Sequence, residues 1–209
     1  MLRLANALLY FLAIGVALYA AVAYGLFPLG AGVHPDMKLT FQAHAAGIYV
    51  HIFASIVALA LGPFQFSDRL RQKRPALHRW SGRLYLLIGV LIGGLSGLYM
   101  AQFAFGGWAA RSGFTLLALS WLFTGFMAYR AIRRRDIQNH RRWMLRNFAL
   151  TFAAVTLRIY LGLSVAAGFQ FEQAYPVIAW LCWIPNLLLV EWLFNSRRRP
   201  ERDARSESF

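Results

Sequence analysis

The sequence predicts an all-α fold: a polytopic membrane helical bundle of six transmembrane helices, with both chain ends on the cytoplasmic side. Three observations predict it. Of the 209 residues, 59% are hydrophobic and 14% are charged, which leaves more apolar surface than one soluble core of this size can hide. The apolar residues gather in blocks close to the roughly 20 residues that a helix needs to cross a hydrocarbon core about 30 Å thick. The basic residues sort into alternate loops, the pattern of a multi-pass chain with a cytoplasmic side.

The first block, Ala5–Phe27, follows Met-Leu-Arg and ends near Ala21-Val22-Ala23, which has the outline of a cleavable secretory signal. Its apolar run is longer than a usual signal core, so a retained first helix is the expectation. The connection Pro28–Ala43 carries Pro28, Gly30, Gly32 and Pro35 and reads as an irregular outer loop. Blocks two to five follow at His44–Phe66, Leu84–Phe105, Phe114–Ile132 and Met144–Phe169, and the sixth is Val177–Phe194. They are apolar on all faces and lack the short alternating segments of a membrane barrel. The resulting organisation is a first helix with its outer loop (1–43), a four-helix core (44–169), a sixth transmembrane helix (170–195) and a basic cytoplasmic tail (196–209) whose composition predicts disorder.

Charge sets the orientation. The loop after the second block holds Arg69, Arg71, Lys73, Arg74, Arg79 and Arg83. The loop after the fourth holds Arg130, Arg133, Arg134, Arg135, Arg141 and Arg142, and the tail holds Arg197, Arg198, Arg199, Arg202 and Arg205. With Arg3 these make 18 of the 22 basic residues, against Lys38 and Arg111 on the other side. A bacterial inner membrane with the basic loops inside is the expectation. The net charge of +14 is accounted for by topology, and no base-reading or stacking groups accompany it that would indicate nucleic acid. Cys182 is the single cysteine, which excludes an intrachain disulfide.

A weak internal repeat stands out. His78-Arg79-Trp80-Ser81-Gly82-Arg83 and His140-Arg141-Arg142-Trp143-Met144-Leu145-Arg146 both read His-Arg, then Trp, then Arg three residues after the Trp. Each follows a basic loop and opens an outward-going helix, so helices two and three form one hairpin and helices four and five its copy. The repeat brings His78 and His140 to matching depths, where two neutral imidazoles suit a haem iron held axially, or a copper or iron ion. Arg79, Arg83, Arg141 and Arg146 are then at hand for haem propionates. The ordinary alternative is an interfacial belt of Trp and cations meeting lipid headgroups.

Two further ionisable residues lie deeper. His51 shares a face with His44, seven residues earlier and about 10 Å away along the helix, too far for one metal ion. Arg158 lies some 15 residues into the fifth helix, at a depth comparable with His51, where no Asp or Glu is available to pair with it. A quinone oxygen, a ligand anion, water or backbone carbonyls must serve. Glu191 is placed to pair with Arg146 or Arg83. Gly89, Gly93, Gly94 and Gly97 have the small-residue spacing that lets helices approach closely. No Gly-rich nucleotide loop, zinc-protease motif or nucleophile elbow occurs.

His51-Ile52, Gly62-Pro63-Phe64-Gln65-Phe66, Leu77–Tyr85, His140–Arg146 and Thr156-Leu157-Arg158 together resemble a family of membrane proteins known as domain of unknown function 2306. The likeness covers Ile48–Tyr160, helices two to five, and implies a membrane fold but no reaction. It singles out His51, His78, His140, Arg146 and Arg158. A four-helix core with histidines near helix ends also resembles transmembrane b-type cytochromes in architecture alone.

The leading expectation is a membrane protein that holds a b-type haem between His78 and His140 and exchanges electrons with quinone near Arg158 and His51. The rivals are a non-enzymatic protein that binds lipid or serves as an accessory subunit of a larger membrane complex or a homo-oligomer, and a small-solute carrier. Carriers usually show helices broken at the midplane, and no break is evident in these blocks beyond Pro63 and Pro185.

Overall fold

The structure is a computed structural model that describes residues 2–206, with side chains described from Leu4 to Phe194 and at Ser196. The side chains of Arg3 and of the tail arginines lie outside the described residues. Every regular element among the described residues is helical, and six of the resulting spans are long and apolar enough to cross a membrane: Leu4–Gly25, Ala45–Gln65, Pro75–Ala101, Gly107–Arg133, Ile137–Ala166 and Phe171–Phe194. The protein is an integral, multi-pass membrane protein. Large apolar side chains such as Phe11, Leu87, Phe126 and Trp192 project outward, the arrangement required where lipid is the solvent.

In chain order the helices are α1 (Leu2–Gly25), α2 (Pro35–Ala43), α3 (Ala45–Gln65), α4 (Asp68–Lys73), α5 (Pro75–Leu84), a π-helical segment (Tyr85–Ile92) continuing into α6 (Gly93–Ala101), α7 (Gly107–Arg133), α8 (Ile137–Thr151), α9 (Ala153–Ala166), α10 (Phe171–Leu181) and α11 (Ile184–Ser206). The third and fifth spans begin at Pro75 and Ile137, earlier than hydropathy indicates, because capped helical turns run on into the polar, basic segments. Asp136 caps the start of α8 by accepting from the Asn139 amide, and Pro75 occupies the first turn of α5. The connection after α1 is not wholly irregular: Pro35 and Asp36 start α2, the positions where proline and an acidic residue favour a helix. The last helix is likewise continuous to Ser206, through the segment whose composition predicts disorder.

The helices pack through small residues. A side chain at Gly89 would strike the backbone of Ala58 at 2.9 Å, and one at Gly62 would strike the Phe148 ring, so α3 lies directly against the third and fifth spans. At the centre a polar network ties them together. The Tyr85 hydroxyl donates to Asn147 Oδ1 at 2.7 Å and meets Thr151 Oγ1 at 2.8 Å. Asn147 Nδ2 donates to the Trp121 carbonyl and to Thr124 Oγ1, and Trp121 Nε1 donates to Thr151 Oγ1. Every member has a partner, the condition under which such a network holds a unique packing.

Three spans are irregular, contrary to the unbroken helices that hydropathy suggests. The third contains the π-helical segment, the fifth breaks at Phe152, and the sixth breaks at Cys182 and Trp183. The last two breaks are stitched to each other. Asn186 Nδ2 donates to the Ala149 and Cys182 carbonyls at 3.2 and 3.0 Å, and the Thr156 hydroxyl also donates to Cys182 O. Carbonyls released by the interrupted helices thus find donors inside protein, as membrane depth requires.

Candidate functional site

All three irregularities border one cavity of ≈ 270 Å³. Gly93 follows directly on the π-helical segment, Thr151 and Ala153 flank the break of the fifth span, and Cys182 lies in the break of the sixth; all four line the cavity. Irregular backbone at membrane depth is tolerated where it faces such a space, and π segments recur at functional sites. The second to sixth spans all contribute walls, while Met37, Thr40 and Phe41 of α2 add a further side from the end of the bundle opposite the basic one.

The walls are mainly apolar, and His51, Ser55 and Arg158 stand out among their polar residues. His51 lies on α3 and its Nδ1 is 2.9 Å from the Gly93 carbonyl oxygen. A carbonyl only accepts, so Nδ1 carries the hydrogen and Nε2 keeps its lone pair. Gly97 makes the seat for this ring: a Cβ there would sit 2.9 Å from two ring atoms. Ser55 follows one turn later on α3, and its hydroxyl is buried with no hydrogen-bond partner. Arg158, from α9, donates to the Ala154 carbonyl at 2.7 Å within its own helix and stands over the Tyr19 ring at 5.7 Å. No carboxylate pairs with it among the described residues. Among the residues that line the cavity, Arg158 and Ser55 carry unused donors and His51 carries an acceptor at Nε2.

The two His-Arg-Trp motifs do not line this cavity. They sit at the basic end, and their local geometry is alike. His78 and His140 each occupy the fourth residue of a helix, their amides bonding to the carbonyls of Arg74 and Asp136. Arg83 lies 5.0 Å over the Trp80 ring and Arg146 4.7 Å over Trp143. The rings differ: His140 Nδ1 donates to the Ala128 carbonyl at 2.9 Å, whereas His78 Nδ1 is buried without a partner. Arg79 and Arg83 are exposed. Arg146 is engaged by Glu191 through Nε–Oε1 at 2.5 Å and Nη2–Oε2 at 2.9 Å, the first of the two pairings that the sequence allows.

His44 is the cap of α3 and bonds the Tyr99 hydroxyl at 2.9 Å while stacking on Phe103. It serves to join α3 to the end of α6, apart from the cavity lining. Sequence reasoning missed Ser55 and the Tyr85–Asn147–Thr151 network. The available signal was polar, non-ionisable residues inside apolar blocks, which at membrane depth demand partners just as charges do.

Residues 48–194 match the model of the family described as predicted membrane protein, domain of unknown function 2306. The chain belongs to this family. The match runs to Phe194, so the sixth helix lies within the domain of unknown function 2306, where the motif resemblance ends at Tyr160. His51, Ser55 and Arg158 of the cavity and both His-Arg-Trp motifs fall inside the matched residues. No curated protein and no solved structure matches the chain.

Proposed function

We propose that this protein is a membrane redox protein that binds a quinone-type ligand in the cavity, in a bacterial inner membrane with its basic end toward the cytoplasm. The observation that carries the reading is that Arg158, Ser55 with its unpartnered hydroxyl and His51 with its free Nε2 line one mainly apolar space. A cavity of about 150 Å³ already holds a benzene ring, so ≈ 270 Å³ accommodates a substituted quinone head. The carbonyl oxygens of a quinone accept from Arg158 and Ser55. A quinol hydroxyl donates instead, and a neutral His51 is the group that accepts from it and takes its proton.

His78 and His140 are the residues that would hold a b-type haem, or an iron or copper ion, which when bound supplies single-electron transfer. In favour of this assignment are the Nε2 that His140 leaves unused and the unpartnered His78 Nδ1. Exposed Arg79 and Arg83 suit the propionates better than Arg146, whose guanidinium Glu191 already occupies. A second reading, lipid binding by an accessory subunit, is favoured by Arg158 alone, since a lipid phosphate also supplies acceptors.

Titration of the purified protein in nanodiscs with a short-tailed ubiquinone tests the proposal. Saturable binding, weakened at least tenfold in Arg158→Gln and Ser55→Ala, is expected. Phospholipid retained through purification, with no ubiquinone binding, would move the assignment to the lipid reading. A reduced-minus-oxidised visible spectrum of the same sample tests the haem: a b-type Soret and alpha band lost in His78→Ala and His140→Ala is expected, and a colourless protein rejects it.

A further inference from the structure

At the end of the bundle opposite the basic one, three residues distant in sequence meet. His34 immediately precedes α2, Asp36 lies in its first turn, and Glu172 lies in the first turn of α10. One ring nitrogen of His34 and one oxygen from each carboxylate all lie within 4.8 Å of one another. Each ring nitrogen faces a carboxylate, Nδ1 at 3.6 Å from Asp36 Oδ2 and Nε2 at 3.8 Å from Glu172 Oε1. These separations are too long for hydrogen bonds. Two donors that share a metal ion at about 2.1 Å stand about 3.0–3.5 Å apart, so an ion takes one ring nitrogen and the carboxylate facing the other nitrogen must swing toward it.

Two further observations favour an ion over a direct contact. His34 Nδ1 is buried and has no hydrogen-bond partner. The ring itself is held in place, stacked on Phe171 with centroids 4.2 Å apart and planes within 8°. A fixed imidazole with an unsatisfied nitrogen stands beside two carboxylates whose side chains are about half exposed, at 53% and 52%, and so have room to rotate inward. One imidazole and two carboxylates form a donor set for a divalent first-row transition ion, with coordination positions left for water.

We infer that His34, Asp36 and Glu172 bind a divalent transition-metal ion that staples α2 to α10. Both helices line the cavity, α2 through Met37 and α10 through Tyr175, so the ion fixes the wall on that side. The metal site is independent of what the cavity binds.

Zn²⁺ is the probe. The full-length protein, stripped with chelator in detergent, is titrated with Zn²⁺ by calorimetry, alongside the near-isosteric variants Asp36→Asn and Glu172→Gln. One Zn²⁺ per chain is expected, with affinity reduced at least tenfold in each variant and a thermal midpoint that Zn²⁺ raises in the parent protein only. Variants whose metal-free thermal midpoint and monodispersity equal the parent's keep the comparison clear of misfolding. Absence of saturable binding overturns the site, as does binding unchanged in both variants, which would place Zn²⁺ on other histidines. Variants that lose stability while Zn²⁺ has no effect on the parent also overturn it, assigning the cluster to a protonated His34 bridging two carboxylates.

Discussion

His51 donates through Nδ1 to the carbonyl of Gly93 at 2.9 Å, a bond from α3 to the start of α6 that turns a buried histidine into a positioned acceptor. The bond exploits the junction of the π-helical segment with α6, and it settles which ring nitrogen remains for a ligand. Without Gly97 beside it the ring would have no room.

Gly97→Ala is therefore expected to displace the His51 ring. Overpacking of this kind costs about 1–3 kcal/mol. The thermal midpoint should fall, and ubiquinone affinity should fall with it. A variant that keeps full affinity would separate the ring position from ligand binding.

Tyr85→Phe removes the hydroxyl that satisfies Asn147 Oδ1 and meets Thr151 Oγ1 in the core. A buried acceptor left without a donor costs about 1–3 kcal/mol. Denaturant or thermal unfolding in detergent should show the loss. Tyr85→Phe in an Asn147→Leu background should cost clearly less, because the stranded acceptor is gone.

Arg146 and Glu191 join the fifth and sixth spans through two hydrogen bonds in a half-buried setting. Either single substitution, Arg146→Gln or Glu191→Gln, is expected to lower stability by roughly 1–3 kcal/mol. The double variant should recover part of that loss. Additive losses in the cycle would mean that the pair contributes nothing beyond its separate side chains.

Asp136 begins α8 just outside the fifth span. Its carboxylate accepts from the Asn139 amide at 3.0 Å and then from the Asn139 side chain, and these bonds hold its pKa below the ordinary carboxylate value. A depressed folded-state pKa contributes stability above the unfolded value that is lost as pH falls through the folded one. The stability gap between the parent and Asp136→Ala should accordingly be full at neutral pH and close as the medium is acidified below the ordinary carboxylate range. A gap independent of pH would remove the capping role.

The orientation drawn from charge is open to labelling. In a Cys182→Ala background, Lys38→Cys should react with a membrane-impermeant thiol reagent in intact spheroplasts, and Gln72→Cys should react only after lysis. The reverse pattern would invert the topology.

Much of the fold is legible in the sequence because crossing a bilayer is a local requirement. An apolar run of sufficient length must form a helix wherever it lies, so six spans follow from hydropathy to within a few residues at most ends. Four of them start ahead of the apolar runs, at Pro75, Gly107, Ile137 and Phe171, and Pro35 and Asp36 start α2 in a stretch that composition marks as loop.

The chemistry is less legible. His51 and Arg158 announce themselves as ionisable residues at membrane depth, and Arg146 and Glu191 can be paired from their depths alone. That His51 and Arg158 share a cavity with Ser55 depends on how α3, α6 and α9 pack, which no single helix encodes. The helix break at Phe152 arises with no proline beside it, whereas the break at Cys182 and Trp183 comes just before Pro185, and Asn186 and Thr156, one on each span, bond the released carbonyls. His34 offers no signal in sequence at all: Glu172 lies far along the chain, and only the docking of α2 beside α10 brings them together. The sequence by itself determined where the chain crosses the bilayer, since that depends on residues within one segment. The tertiary structure alone decided which polar groups face one another, since that depends on the packing of segments whose apolar surfaces are nearly interchangeable.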